Sequence, residues 1–127
     1  MDTRRKVLTA AAALPPDAAA PVAVATGYFD ILRAAHARQL ADVRRSTGAG
    51  TLIVLVLPLA GELLDRHVRA RMVAALRVVD YVVSAENEEA NRILERWQPA
   101  AVVRLEAADA LERRRLIGHA QHKNERP

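Results

Sequence analysis

Hydrophobic and polar positions follow two different patterns along this chain. Short continuous apolar runs, such as the one over 52–57, alternate with longer stretches in which apolar residues recur every three or four positions. Runs of the first kind are typical of strands buried on both faces, and stretches of the second kind are typical of amphipathic helices. The pattern predicts strands over 22–27, 51–57, 81–83 and 101–105, and helices over 34–46, 66–78, 87–97 and 109–122.

The alternation of strands with helices predicts the fold class. It favours a parallel sheet of about four to five strands with helices on both faces, which is a Rossmann-like three-layer α/β/α architecture. Such sheets bind ligands at the carboxyl ends of their strands, where the strand order reverses. The turn after the first predicted strand, at Gly27, leads into a helix whose free N–H groups and dipole favour an anion.

Glycine and serine residues mark the predicted helix ends. Gly48 and Gly50 end the first helix, and Ser84 is expected to cap the helix over 87–97. The helix over 66–78 is expected to bury one apolar stripe and to turn its arginines outward. The expected stripe is Val68, Met72, Ala75 and Leu76, and the arginines expected on wet helix faces include Arg44, Arg66, Arg69, Arg71 and Arg77.

The chain is expected to form one domain with short additions at both ends. Residues 1–20 are a leader packed on the domain edge as a short strand or helix, 21–123 are the domain, and 124–127 are a tail that frays. An alternative for the leader is an export signal of the twin-arginine type. No run approaches the roughly 20 apolar residues of a membrane span, and we expect a cytoplasmic protein without membrane contact.

Net charge and cysteine usage limit the classes of ligand and of catalytic or metal site that the chain can form. The formal charge of +4 and the pI near 10.3 suit phosphorylated ligands, nucleic acid or an anionic surface. The basic run over 113–115 has no interleaved aromatic residues, which argues against nucleic acid. His119 and His122 have helical spacing but no third metal ligand nearby in sequence, so we expect no metal site there. The absence of cysteine excludes disulfides, thiol catalysis and zinc–thiolate sites.

Residues 26–36 carry a motif. They read Thr-Gly-Tyr-Phe-Asp-Ile-Leu-Arg-Ala-Ala-His, and this stretch resembles the T-G-x-F-D-x-L-H-x-G-H signature of the cytidylyltransferase-like nucleotidyltransferases. The most similar types are the ADP-heptose synthase nucleotidyltransferase domain and glycerol-phosphate cytidylyltransferase. The resemblance continues through 52–56, 69–83 and 99–104.

The chain departs from the family pattern at several positions. Arg33 stands where the family has its first catalytic histidine, Ala35 where it has a glycine, and Arg104 where it has a lysine. The G-G-D that usually follows the lysine is absent. Residues 105–127 contain no serine or threonine, so the family's C-terminal triphosphate motif is also missing.

The resemblance implies a set of site residues. The catalytic residues would be His36 and Arg33, and the nucleotide- or phosphate-binding residues would be Thr26, Gly27, Tyr28, Phe29, Arg69 and Arg104. Most of these positions also have a structural interpretation. His36 is either a phosphate ligand or a partly buried helix histidine. Arg33 either binds the triphosphate or arose by drift on a surface that is no longer selected for catalysis. Arg69 and Arg104 are either ligand contacts or solvated charges, and Asp30 is expected to orient the turn or to cap the helix.

Two functions follow from these observations. The resemblance implies transfer of AMP or CMP from ATP or CTP, with Mg²⁺, to a phosphorylated sugar or polyol, and it implies a homodimer. The alternative is a degenerate member that binds a nucleotide or a partner chain without turnover. Release of pyrophosphate separates the two, because only turnover produces it.

Overall fold

Five parallel strands form one sheet in the order β1-β4-β3-β2-β5. The computed structural model describes residues 3–30, 34–62 and 64–107. The strands are β1 (Val7–Leu8), β2 (Val22–Gly27), β3 (Thr51–Val56), β4 (Tyr81–Ser84) and β5 (Ala101–Arg104). The helices are α1 (Ala34–Thr47), α2 (Arg66–Ala74) and α3 (Asn87–Trp97), preceded by a 3₁₀-helix over Thr3–Lys6. The Rossmann-like α/β fold expected from the alternating pattern is confirmed.

The two faces of the sheet bury separate apolar clusters. Alternate residues of β2 point in opposite directions, so Ala23 and Ala25 pack with Leu40 of α1 and Val73 of α2. Val22 and Val24 pack on the other face with α3, whose buried residues are Ala90, Ile93 and Trp97. The helices α1 and α2 therefore share one face and α3 covers the other, as right-handed crossovers require.

The order in which strands are added to the sheet reverses at β2. Strand β2 pairs with β3 over its full length, from Val22 opposite Thr51 to Gly27 opposite Val56. On its other side it pairs with β5, where Thr26 lies opposite Arg104. The chain moves outward from β2 through β3 to β4 and then returns to the opposite side of β2. The carboxyl ends of β2 and β5 therefore form the topological switch point of the sheet.

The leader lies against the outer edge of the sheet. Strand β1 pairs with β4 in parallel, with Val7 opposite Val82. The Lys6 ammonium donates to the Leu76 carbonyl at 3.3 Å, and the Arg96 guanidinium of α3 donates to the carbonyls of Ala10 and Ala12. Residues from both faces of the sheet thus hold the leader in place.

The expectation for the buried face of α2 is wrong. The helix buries Arg69, Ala70, Val73 and Ala74, and Ala75 is exposed. Hydrogen bonds of the i to i+3 type from Ala75 and Leu76 tighten the last turn, so the helix ends at Ala74 instead of continuing to 78. The buried face of α2 is shifted by one residue relative to the predicted stripe, because the Arg69 side chain points into the protein.

Two further polar residues differ from expectation. Ser84 does not cap α3, because it is the last residue of β4. The capping residue is Glu86, whose backbone N–H donates to the Glu89 carboxylate at 3.0 Å in a capping box.

Arg44 does not simply face solvent. Its guanidinium donates to Asp80 Oδ2 at 2.6 Å and to the Gly50 carbonyl at 3.0 Å, which ties the end of α1 to the starts of β3 and β4.

Several expectations fall outside the described residues. They are the helix over 109–122, the basic run over 113–115, the His119 and His122 pair, and the tail over 124–127. Among the residues that are described, no helix is long and apolar enough to cross a membrane.

Gly50 is packed against the backbone of the leader. A Cβ atom at this position would lie 2.7 Å from the carbonyl oxygens of both Ala19 and Ala20, which are backbone atoms and cannot simply turn away. Gly48 differs, because a Cβ there would meet nothing within 4 Å and its φ of +65° is the only obstacle to a side chain.

We expect Gly50→Ala to lower the free energy of unfolding by about 3 kcal/mol, as in other overpacked sites. Gly48→Ala is the matched control and should cost only about 1 kcal/mol, from strain at a positive φ. The measurement is urea unfolding followed through Trp97, the single tryptophan, which is buried against the sheet. Equal losses in the two variants would contradict the steric interpretation of Gly50.

Candidate functional site

A polar cavity opens at the switch point. It has a volume of about 260 Å³ and lies between the carboxyl ends of β2, β3 and β5 and the first two turns of α3. Leu57 and Ala90 contribute apolar walls. The polar residues that line it are Thr26, Tyr28, Asn87, Asn91, Arg104 and Glu106. The cavity lies where open parallel sheets bind their ligands.

Glu106 forms the most direct side-chain contact across this cavity. The Thr26 hydroxyl, fully buried near the carboxyl end of β2, donates a hydrogen bond to Glu106 Oε1. Glu106 follows β5 by two residues and is half-buried, whereas Arg104 is exposed on the rim. No motif in the sequence marks Glu106. The available signal was its position, since it stands within the segment where the family has G-G-D.

The loop after β2 is shaped by backbone conformation and by Asp30. Gly27 is the last residue of β2, and the turn itself places Phe29 at a φ of +52°, a region that few non-glycine residues adopt. The buried Asp30 carboxylate accepts a hydrogen bond from the Leu64 backbone N–H at 3.0 Å. Asp30 therefore joins this loop to the segment before α2, in agreement with a role in orienting the turn.

His36 lies under the loop, on the face of the sheet opposite the cavity. Its side chain is 6% exposed, and its ring meets the Phe29 ring edge to face, with 5.5 Å between centroids. Phe29 belongs to the cluster shared by α1 and α2, whereas Thr26 and Tyr28 point toward the α3 face. The structure thus divides the predicted site residues between the two sides of β2.

Arg69 is fully buried and is not a solvated helix charge. Its Nη1 donates to the Tyr28 carbonyl at 2.6 Å and to the Leu57 carbonyl at 2.9 Å. Its Nε donates to the Leu64 carbonyl at 3.1 Å, and its Nη2 pairs with Glu62 at 2.6 Å. One guanidinium therefore clamps the residues that follow β2 and β3 and the segment before α2. This arrangement positions the cavity wall.

The start of α3 is already occupied by side chains of the protein. Glu86 and Glu89 form the capping box, and Glu88 adds a third carboxylate to the first turn. Glu86 also pairs with Arg66 at 2.7 Å. Helix N-termini attract anions through free N–H groups and the helix dipole. Here the chain's own carboxylates accept the hydrogen bonds and balance the positive end of the dipole. The α3 side of the cavity consequently favours neutral polar groups over phosphate.

The predicted residues fall into three groups. Thr26, Tyr28 and Arg104 line the cavity, and Gly27 ends the strand beside it. The side chains of Phe29, His36 and Arg69 lie on the α1 and α2 face, beneath the backbone of the loop. Arg33 lies outside the described residues.

A larger cavity, of about 400 Å³, lies at the opposite edge of the sheet. It is bounded by Arg5, Lys6, Asp17, Asp80 and Tyr81 near the amino ends of β3 and β4. Burial raises the pKa of Tyr81 above its ordinary value of 10.0, and the neighbouring Asp17 raises it further. The two cations and two carboxylates balance each other, and ligands of parallel sheets bind at the carboxyl edge. The smaller cavity is therefore the candidate site.

The described residues contain no group of three or more His, Cys, Asp and Glu side chains that could hold a metal ion. Mg²⁺ does not need such a cage, because it keeps several waters and is usually held by one or two carboxylates together with substrate phosphates. A Mg²⁺ ion that enters with a triphosphate would therefore not require such a group of side chains.

Comparison with known proteins agrees with the fold and identifies the family. The cytidylyltransferase-like family model matches residues 24–118. Because this match spans more than half of the chain, the protein belongs to the cytidylyltransferase-like family. A crystal structure of the lipopolysaccharide core biosynthesis protein from Thermoplasma volcanium GSS1 is similar in fold, with a TM-score of 0.56 and 22% sequence identity over 64% of this chain and 70% of that one. A search of curated proteins found no significant match.

We expect Arg69→Ala to lower the free energy of unfolding by about 4 kcal/mol, because it leaves buried carbonyl groups and Glu62 without their partner. Arg69→Lys should recover part of the loss, since an ammonium keeps the charge but cannot bridge so many acceptors. Arg71→Ala, an exposed arginine on the same helix, is the control and should change stability by less than about 0.5 kcal/mol. Urea unfolding measures all three. Losses of similar size for Arg69→Ala and Arg71→Ala would show that the buried network stabilises nothing.

Proposed function

We propose that this protein is a nucleotidyltransferase that moves AMP or CMP from ATP or CTP to a phosphorylated sugar or polyol. A phosphate oxygen of the acceptor attacks the α-phosphorus, the bond from the α-phosphorus to the bridging oxygen breaks, and pyrophosphate leaves. The observation that carries this proposal is the polar cavity at the switch point, next to the loop over 27–30. Family membership supports it independently.

The chain's contribution to such a reaction is to position phosphates and to neutralise their charge. Arg104 lies on the cavity rim, where it would hold a phosphate or the acceptor. His36 and Arg33 would act at the α- and β-phosphates if the loop moves aside from the His36 ring. Mg²⁺ would arrive with the triphosphate and neutralise part of its charge. The lipopolysaccharide core biosynthesis role of the similar structure supports a sugar phosphate as the acceptor.

A second candidate is a family member that binds a nucleotide without turnover. The observation that favours it is the carboxylate content of the site, with Glu106 on Thr26 and three glutamates in or before the first turn of α3. These charges repel a polyphosphate on the α3 side. In both cases we place the protein in the cytoplasm, expect a homodimer, and expect neither membrane nor nucleic acid as a partner.

The test is calorimetric titration of ATP and CTP, each with Mg²⁺, into the wild type, Arg104→Ala and His36→Ala. We expect binding of at least one nucleotide, and we expect Arg104→Ala to weaken it roughly tenfold through loss of one charge-assisted contact. His36→Ala should weaken binding as well. Arg71→Ala and His67→Ala are the controls, because both residues are exposed on α2 and neither lines the cavity.

Pyrophosphate release then separates the two candidates. Release that needs both a triphosphate and a sugar or polyol phosphate supports the transferase, whereas nucleotide binding without release across a panel of acceptors supports the second candidate. Absence of any nucleotide binding to the folded wild type would overturn both. Unfolding curves are needed for His36→Ala, because His36 is packed against Phe29 and its loss also costs stability.

A further inference from the structure

The larger cavity, at the amino edge of the sheet, has the size of a ligand pocket. Its volume of about 400 Å³ lies within the range of roughly 300–1,000 Å³ that is typical of such pockets. The leader contributes Arg5, Lys6 and Asp17 to its lining, and the starts of β3 and β4 contribute Thr51 and Tyr81. A ligand in this cavity would therefore contact the leader and the sheet at the same time.

The charges of this cavity balance only if its lining residues are counted alone. Asp80 lines the cavity, but its Oδ2 already accepts from the Arg44 guanidinium at 2.6 Å and from the Leu52 N–H at 2.9 Å. Arg44 does not belong to the lining, and it neutralises this carboxylate from outside. The two cations of the lining then face Asp17 as the one remaining carboxylate. The resulting excess of positive charge favours an anion.

Three hydrogen-bond donors in the cavity can serve such an anion. Among the described residues, Arg5 has no ion-pair or hydrogen-bond partner. The Lys6 ammonium uses one of its three N–H groups on the Leu76 carbonyl, at 3.3 Å. The third donor is the Thr51 hydroxyl, which has no partner within the described part of the chain although Thr51 is only 3% exposed. Because a buried polar group without a partner costs free energy, a ligand that accepts from Thr51 would be stabilised.

The cavity wall beside Thr51 is held by hydrogen bonds and close packing. The Gly50 N–H donates to the Pro21 carbonyl at 2.8 Å, and a Cβ at Gly50 would lie 2.7 Å from the Ala19 carbonyl oxygen. On the opposite side, the Tyr81 hydroxyl donates to Asp17 Oδ1 at 3.3 Å and so joins β4 to the leader. A ligand would therefore enter a preformed site and would not have to order its walls.

We propose that this cavity binds a small phosphate monoester and is a second ligand site, separate from the switch-point cavity. A phosphate monoester carries a charge of roughly −1.5 to −2 at neutral pH and three strong acceptor oxygens, which match the three donors Arg5, Lys6 and Thr51. A carboxylate has only two oxygens and one charge. The Asp17 carboxylate suits an ester whose organic part carries hydroxyl groups. The inference goes beyond the proposed function, because its residues lie at the opposite edge of the sheet.

The experiment is a titration followed by two-dimensional ¹H–¹⁵N NMR spectroscopy, which locates binding along the chain. The probes are inorganic phosphate, glycerol 3-phosphate and glycerate, the last as a matched carboxylate, all at constant ionic strength. The proteins are the wild type, Arg5→Ala, Thr51→Val and, as a control, Arg38→Ala. Arg38 is an exposed arginine of α1 that does not line the cavity.

We expect glycerol 3-phosphate and inorganic phosphate to shift the amide signals of Gly50, Thr51 and Tyr81 in the wild type. Arg5→Ala should weaken this binding roughly tenfold, as for a hydrogen bond between charged groups. Thr51→Val keeps a β-branched side chain in the strand but removes the hydroxyl, and it should weaken binding about fivefold through loss of one hydrogen bond. Arg38→Ala should bind as the wild type does. Signals elsewhere that stay unchanged in each variant show that its fold is intact.

Other outcomes overturn the inference. Shifts confined to the amides of Thr26, Gly27 and Leu105 would show that phosphate binds only at the switch-point cavity, which leaves the proposed function standing. Equal affinity for glycerate and glycerol 3-phosphate would overturn the assignment to a phosphate. Binding that is equally strong in Arg5→Ala, Thr51→Val and the wild type would show only a general attraction of anions to a basic protein. Absence of any shift in the folded wild type would show that the cavity takes no phosphate.

Discussion

The structure depends on a single buried guanidinium at the carboxyl edge of the sheet. Arg69 has no exposed surface, and it bonds to carbonyls that follow β2 and β3 and to Glu62 before α2. Burial of an arginine is costly unless all its donors are satisfied, and here backbone acceptors supply most of the partners. Within the loop over 27–30, the bond to the Tyr28 carbonyl holds the backbone next to Gly27 in place. The shape of the candidate site is therefore a consequence of one helix side chain that points inward.

The division of the site by β2 has a physical origin in strand geometry. Successive residues of a strand point to opposite faces, so Thr26 and Tyr28 reach the α3 face while Phe29 reaches the α1 and α2 face. A ligand held in the cavity and also by His36 must therefore extend over the end of β2. A nucleoside triphosphate is long enough to do so, with its neutral sugar and its charged phosphates in different environments. This separation agrees with the neutral character of the cavity.

The fold was predictable from the sequence because its signals are local. Continuous apolar runs identify β3 and β2, and the expected helix over 87–97 agrees with α3 at both ends. The inward direction of Arg69 was not predictable from periodicity, because an arginine on a helix is usually counted as a solvent-facing residue and its carbonyl partners lie in distant segments. The capping of α3 by Glu86 was missed because Ser84 is the stronger capping residue, but the strand extends through it. Glu106 was missed for a related reason, since its partner Thr26 is 80 positions away and only the strand order brings them together.

The short strand β1 has a consequence for solubility. It contributes only two residues, yet it covers the open edge of β4, whose N–H and C=O groups would otherwise be available to another chain. Val82 and Val83, both fully buried, form the middle of that strand, so an uncovered β4 would present an apolar, β-branched template. Loss of β1 by proteolysis within the leader would therefore expose a strand edge that favours self-association. The alanine-rich leader thus shields an aggregation-prone strand edge, although it lies far from the candidate site.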